Sequence, residues 1–282
     1  MVALRKQLKA QVAGGRPFVG FGDPVFGGLE EEETGTRGST EIEIAQRGIT
    51  LRAGPGTRAA TSADLSKLRR LPETADEITA IAEALGADLS RDVYLREAAT
   101  EGRVKSLSKA GTLADYKVIS FATHGLVPGD LDGLRRPALA LSLPGEGEEE
   151  DGLLTTDDII GLKLDADWVV LSACNTGVDG GNGGDAVSGL GRAFFYAGAR
   201  ALLVSNWPVH SKATKDLMVT LFRRHAENGG PRAGALRHAM ETLIAEGAYK
   251  DDTGKDVFAY AHPLFWAPFT LVGDGGGARL VN

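Results

Sequence analysis

The chain of 282 residues has a single cysteine, Cys174, so no disulfide can form within it. One Cys and five dispersed His residues also argue against a structural zinc site, which needs four grouped ligands. No run of about 18 apolar residues appears, which excludes a membrane-spanning helix. The N-terminus, Met-Val-Ala-Leu-Arg-Lys-Gln, lacks the apolar stretch of a signal peptide, so a cytoplasmic location is expected. Positive charge is in the minority. The formal net charge of −7 argues against a nucleic-acid phosphate backbone as partner, because that requires a basic stripe. Several motifs are missing too. There is no GxxxxGK[ST], no GxGxxG and no HExxH. No Gly-x-Ser-x-Gly elbow occurs, since Ser188 follows Ala186 and Val187. Phosphate-loop, dinucleotide, zinc-protease and serine-hydrolase chemistry therefore have no support, and no cofactor is called for.

What is present is an ordinary globular composition, 43% hydrophobic and 24% charged. Residues 1–16 are polar and basic and read as a tail ending a preceding segment. The stretch 17–24 reads as a short strand and turn. Residues 28–62, rich in Gly, Glu and Thr, read as a mobile surface loop. Helical spacing follows over Ala75–Leu85, a strand over Asp92–Leu95 and a helix that Thr100-Glu101 opens and that runs through Ala110. Tyr116–Ala122, Ala138–Leu143, Trp168–Ala173, Ala201–Ser205 and Ala267–Val272 read as strands. Between them fall an acidic loop at 145–152, a short helix from Thr155 or Thr156 to Ile160 and helices over Val187–Ala197, Ser211–Glu227 and Arg232–Glu246. Alternating strands and helices predict a mostly parallel sheet covered on both faces. One compact domain over 17–275 is expected, with a tail at 276–282.

In such a sheet, ligands bind beyond the carboxyl ends of the strands. His124 lies just past one strand end, and Cys174, fifty residues later, at another. That spacing is of the caspase type. A thiolate is the nucleophile in such chemistry, and at a free pKa of about 8.5 it is scarce near neutrality. An imidazole can take its proton and later protonate the leaving amine. The oxyanion needs donors, for which the backbone N–H groups of Gly125 and Cys174 are candidates. A lone His or Cys more often has only a structural role, and His210, His225, His238 and His262 are read that way. The joint strand-end placement singles out His124 and Cys174. No Asp, Glu or Asn is placed well enough to be named as a third member.

Three stretches carry a resemblance: Ala122-Thr123-His124-Gly125, Leu171-Ser172-Ala173-Cys174-Asn175-Thr176-Gly177 and Ser205-Asn206-Trp207-Pro208-Val209. They resemble the signatures of CHAT domains, caspase-like domains usually attached to tetratricopeptide repeats. Gly22-Asp23-Pro24, Leu71-Pro72-Glu73-Thr74, Asp151-Gly152-Leu153-Leu154-Thr155, Ala197-Gly198-Ala199 and His262-Pro263-Leu264-Phe265-Trp266-Ala267 fit in consistent order. Separases are a more distant likeness. The resemblance implies a three-layer α/β/α caspase-like sandwich and a dyad of His124 and Cys174. It implies an endopeptidase acting on protein or peptide substrates, with an N-terminal repeat or sensor region as a further partner. The alternative within the family is a non-catalytic scaffold that binds peptide in the same groove.

Ser205, Asn206 and Trp207 correspond to the segment on which substrate backbone pairs, with Trp207 as a pocket wall or, alternatively, as core. Ser172 stands where caspases place a residue that shapes the first specificity pocket, so aspartate specificity is not carried over. Asp179 and Asp185 are the remaining acids that such a pocket could use. Asp185 is the better placed, although a helix N-cap is its simpler role. A neutral side chain is therefore the expected preference. The glycine tract 177–191 reads as a loop with a lid function that is costly to order, so low basal activity is expected.

Overall fold

The computed structural model describes residues 15–27, 65–66, 68–131, 134–145, 150–172, 189–207, 209–251 and 253–276. The expected loop at 28–62 and most of the glycine tract lie outside these residues, as do Cys174, Asp179 and Asp185. Five parallel strands and one antiparallel strand form the main sheet. They are β1 (Arg16–Gly22), β2 (Val93–Leu95), β3 (Tyr116–Ala122), β7 (Trp168–Leu171), β8 (Ala201–Ser205) and β11 (Phe269–Gly273). Their order across the sheet is β11-β8-β7-β3-β1-β2, with β11 antiparallel to β8. Two smaller sheets accompany it. One is antiparallel β4 (Gly125–Leu126), β5 (Ala138–Ala140) and β6 (Leu153–Thr155); the other pairs β9 (Ala248–Lys250) with β10 (Asp256–Ala259).

The near-continuous apolar strands divide their side chains between two cores, as a sheet covered on both faces requires. On one face, Phe18, Val118, Trp168, Val170 and Leu203 pack against four helices. These are α1 (Glu73–Ala84), α6 (Ser211–Asn228), α7 (Arg232–Glu246) and α8 (Pro263–Trp266). On the other face, Val19, Phe21, Ile119, Phe121, Val169, Leu171, Leu202 and Val204 pack against α3 (Glu101–Lys109), α4 (Thr156–Gly161) and α5 (Gly189–Ala197). Short α2 (Leu89–Asp92) leads into β2. The result is the expected three-layer α/β/α sandwich. A third apolar cluster joins Phe26, Leu65 and Leu68 to Leu126, Ala138, Ala140 and Leu153 of the β4–β6 sheet.

Two glycines explain close approaches. A Cβ at Gly22 would lie 2.9 Å from Ile78 and 3.1 Å from the Thr74 carbonyl, so the bare backbone lets α1 settle directly on β1. Gly198, in the Ala197-Gly198-Ala199 turn, has φ +118° and runs against Leu164, where a Cβ would stand 2.1 Å from the carbonyl oxygen. Only glycine adopts that backbone without strain.

The expected elements differ from the observed ones mainly at their ends. Asp92 closes α2 rather than opening the following strand, because its carboxylate is buried against Arg91 and the Tyr116 hydroxyl. The last strand starts at Phe269, not Ala267, because α8 and its C-cap occupy Pro263–Ala267. Strands β4, β6, β9 and β10 were not anticipated; each is two to four residues long and carries little periodic signal.

Helix α6 starts on His210, whose Nδ1 accepts the Ala213 N–H at 3.3 Å. The ring sits among Tyr249, Phe258, Tyr260 and Phe265. Burial, and secondarily the Lys212 charge, hold this imidazole below its ordinary range. His225 is lowered as well, by burial first and then by Arg232. A histidine kept neutral by the fold takes up its proton more readily when unfolded, so its contribution is present above about pH 6.5 and is lost as pH falls. We expect chemical-denaturation stability to fall as pH drops from 7.5 to 5.5. A His210→Asn variant keeps a capping acceptor and should flatten that slope. An unchanged slope would show that His210 does not titrate with unfolding.

Candidate functional site

The parallel strands present their carboxyl ends along one edge. Gly22 of β1 is level with Ala122 of β3, Phe121 with Leu171 of β7, and Leu171 with Val204 of β8. The chain runs from β1 to β2 on one side and then crosses to β3 on the other, so the strand order reverses between β1 and β3. Ligands in open α/β sheets bind outside the strand ends at such a reversal. Asp23 and His124 flank it.

His124 is buried, with 2% of its surface exposed. Its backbone is pinned to β5 from two directions. The Ala140 N–H donates to the His124 carbonyl at 3.0 Å, and the Thr123 hydroxyl donates to the Ala140 carbonyl. The ring packs near Phe26, with centroids 5.6 Å apart. Nε2 lies 2.6 Å from the Arg69 carbonyl oxygen. A carbonyl only accepts, so Nε2 carries the proton, and in the neutral ring Nδ1 holds the lone pair. The tautomer is thus set by a main-chain acceptor 55 residues away in sequence.

Gly125 opens β4. Because the His124 carbonyl points to β5, the trans peptide turns the Gly125 N–H the opposite way, out of the small sheet. Ser172 is fully buried just past β7, and its N–H donates to the Phe121 carbonyl at 3.0 Å. Phe121 and Ser172 are therefore cross-strand neighbours. His124 follows the first by three residues, and Cys174 follows the second by two. Cys174 and Asp185 lie outside the described residues.

Ser205 is fully buried at the end of β8. Asn206 is tied to β11: its N–H donates to the Pro268 carbonyl at 3.0 Å, and its side-chain amide donates to the same carbonyl at 2.9 Å and to Thr270 Oγ1 at 2.8 Å. Trp207 is 36% exposed, so its ring is not enclosed in the core. The other histidines have structural surroundings. His225 Nε2 accepts from the Trp168 indole N–H at 3.4 Å, His262 Nδ1 accepts the Leu264 N–H at 3.2 Å, and His238 is exposed on α7.

The family described as the CHAT domain matches residues 6–274. The chain belongs to the CHAT domain family. Tetratricopeptide repeat protein 28 of Mus musculus is 35% identical over 122 residues, and that of Homo sapiens is 34% identical over 125. The stretch aligned is 43% of this chain but only 4% of each of those proteins. Among solved structures, the Arg-specific cysteine proteinase gingipain R aligns with a TM-score of 0.40 at 12% identity, over 79% of this CHAT chain and 44% of that one.

Two features at the CHAT domain's sheet edge were not named from the sequence. The Arg69 carbonyl carries no side-chain signal. Asp23 stood only within a matching Gly-Asp-Pro stretch, although an acid directly after a strand end is a cue. For Asn206, loss of the amide should cost about 1–2 kcal/mol, the usual effect of losing hydrogen bonds of this kind. Asn206→Ala should lower stability in urea unfolding, and the combination with Thr270→Val should be less than additive. Full additivity with no loss at Asn206 would show that the pairing does not hold β8 to β11.

Proposed function

We propose that this CHAT domain is a cysteine endopeptidase in which Cys174 is the nucleophile and His124 its base. The observation that carries the reading is the bond between Nε2 and the Arg69 carbonyl, which leaves the basic nitrogen of a fixed imidazole at the carboxyl edge of the sheet. Cys174 follows the neighbouring strand end. In this mechanism Nδ1 takes the thiol proton as Sγ attacks the peptide carbonyl carbon. The oxyanion draws on the N–H groups of Gly125 and Cys174. Collapse breaks the C–N bond, the imidazolium protonates the amine that leaves, and water then hydrolyses the thioester with His124 as base.

The substrate runs in extended form past Ser205 and Trp207. Asn206 holds the strand end in place, and Trp207 forms a wall. With Ser172 neutral, a neutral side chain before the scissile bond is preferred, and Asp185 is the acid whose involvement would change that. By analogy with the relatives' name, the domain works beside tetratricopeptide repeats that recruit or sense a partner, in the cytoplasm. No helix among the described residues is long and apolar enough to cross a membrane.

The test is covalent labelling with a peptidyl chloromethyl ketone, read by intact-mass and peptide mass spectrometry. We expect one adduct on Cys174, none in Cys174→Ala, and a rate lower by roughly a hundredfold in His124→Ala, the scale of a lost general base. Failure of the wild-type protein to label above background would leave the peptide-binding scaffold. Equal rates with and without His124 would remove His124 as the base.

A further inference from the structure

The imidazole of His124 is oriented by a backbone carbonyl, which raises the question of what holds that carbonyl. Arg69 and Arg70 share one planar peptide unit: the accepting C=O belongs to Arg69 and the N–H to Arg70. Whatever fixes Arg70 therefore limits where the Arg69 oxygen can go. Arg70 is fixed by a two-pronged ion pair. Its Nε donates to Asp23 Oδ1 at 2.7 Å and its Nη2 to Oδ2 at 2.6 Å. This fork-to-fork geometry fixes direction as well as distance. The Asp23 side chain is 3% exposed and that of Arg70 34%.

Asp23 is itself over-determined. It has φ +49°, a left-handed backbone that Asp, like Asn, adopts more readily than most residues other than glycine. Its N–H donates to Thr74 Oγ1 at 2.7 Å, and that hydroxyl donates to the Leu71 carbonyl at 2.7 Å. Thr74 is fully buried in the first turn of α1, the helix that Gly22 allows onto β1. Residues 68–74 are thus held to the end of β1 by an ion pair and a shared hydroxyl, with Leu68 and Leu71 buried beside them.

We infer that Asp23 is a positioning residue: through Arg70 it fixes the Arg69 carbonyl and so the tautomer and orientation of His124. The inference rests on the reading of His124 as the base. Asp23 does not touch the reacting atoms. It acts two bonds of contact away, and its removal should disorder the imidazole without emptying the site.

Asp23→Gly and Asp23→Asn test this, since both residues tolerate a positive φ while breaking the carboxylate fork. Arg70→Lys provides a second route, keeping the charge but not the paired geometry. In each folded variant the rate of Cys174 labelling at saturating ketone should fall about ten- to a hundredfold, with half-saturation little changed, as for a misplaced catalytic group. Independently of labelling, the downfield proton resonance of His124 Nε2–H should be present in the wild type and broadened or lost in the variants. Wild-type labelling rate together with an intact Nε2–H resonance in folded Asp23→Gly would overturn the inference. Should both Asp23 variants fail to fold, the same two readings on Arg70→Lys decide. If the wild-type protein does not label, the peptidase reading fails, and the Nε2–H resonance alone decides whether Asp23 positions the ring.

Discussion

The parallel register of β1, β3, β7 and β8 is the constraint on which the rest depends. Parallel pairing obliges every connection to cross over a face of the sheet, so that successive carboxyl ends return to one edge. Gly22, Ala122, Leu171 and Ser205 end there. Beyond those ends the described chain is tied to other parts of the fold. Thr123 and His124 lean on Ala140 of the small sheet, the Val25 N–H donates to the Ser142 hydroxyl while its carbonyl accepts from the Leu143 N–H, and Asn206 turns to Pro268. The reversal of strand order between β1 and β3 opens the place where two such departures stand side by side.

Holding a buried imidazole there requires both an apolar wall and a polar anchor. The cluster of Phe26, Leu65, Leu68, Leu126 and Ala140 supplies the wall. It also explains why a sheet of only three short strands exists in this position: β5 delivers the Ala140 amide and carbonyl to residues 123–124, and its apolar side chains close the space below the 65–71 segment. A buried polar group without a partner is costly, by about 1–3 kcal/mol. The bond to Arg69 therefore stabilises the ring's place in the fold as well as setting which nitrogen holds the proton. Structure and chemistry ask the same thing of that carbonyl.

Much of this could be read from the sequence. The strands of the main sheet announce themselves as apolar runs, and the two-core division follows from their alternation. His124 stood out because it and Cys174 both follow such runs. The small strands could not be read, because β4 has two residues and β6 and β9 three, too few for a period of two to be distinguished from chance. Trp207 was ambiguous because an aromatic after a strand fits core or groove, and its exposure speaks against the core. Asp23 and Arg70 are far apart in sequence, 47 residues, and nothing in composition links them. Their pairing depends on α1 packing against β1, which is tertiary information.

A main-chain acceptor has a further consequence for how such a site is detected. A side-chain carboxylate that orients a histidine can be found by its residue type and removed by a single substitution. The Arg69 carbonyl can be neither. Arg69→Ala leaves the oxygen in place, so substitution at the position that makes the contact should matter less than substitution at its neighbours. The side chains that govern the contact are those that govern the path of residues 68–74: Leu68 and Leu71 by burial, Thr74 by its hydroxyl, Arg70 by its ion pair. The information that orients His124 is thus spread over several side chains of residues 68–74, and is concentrated again at one oxygen by the planarity of a single peptide bond.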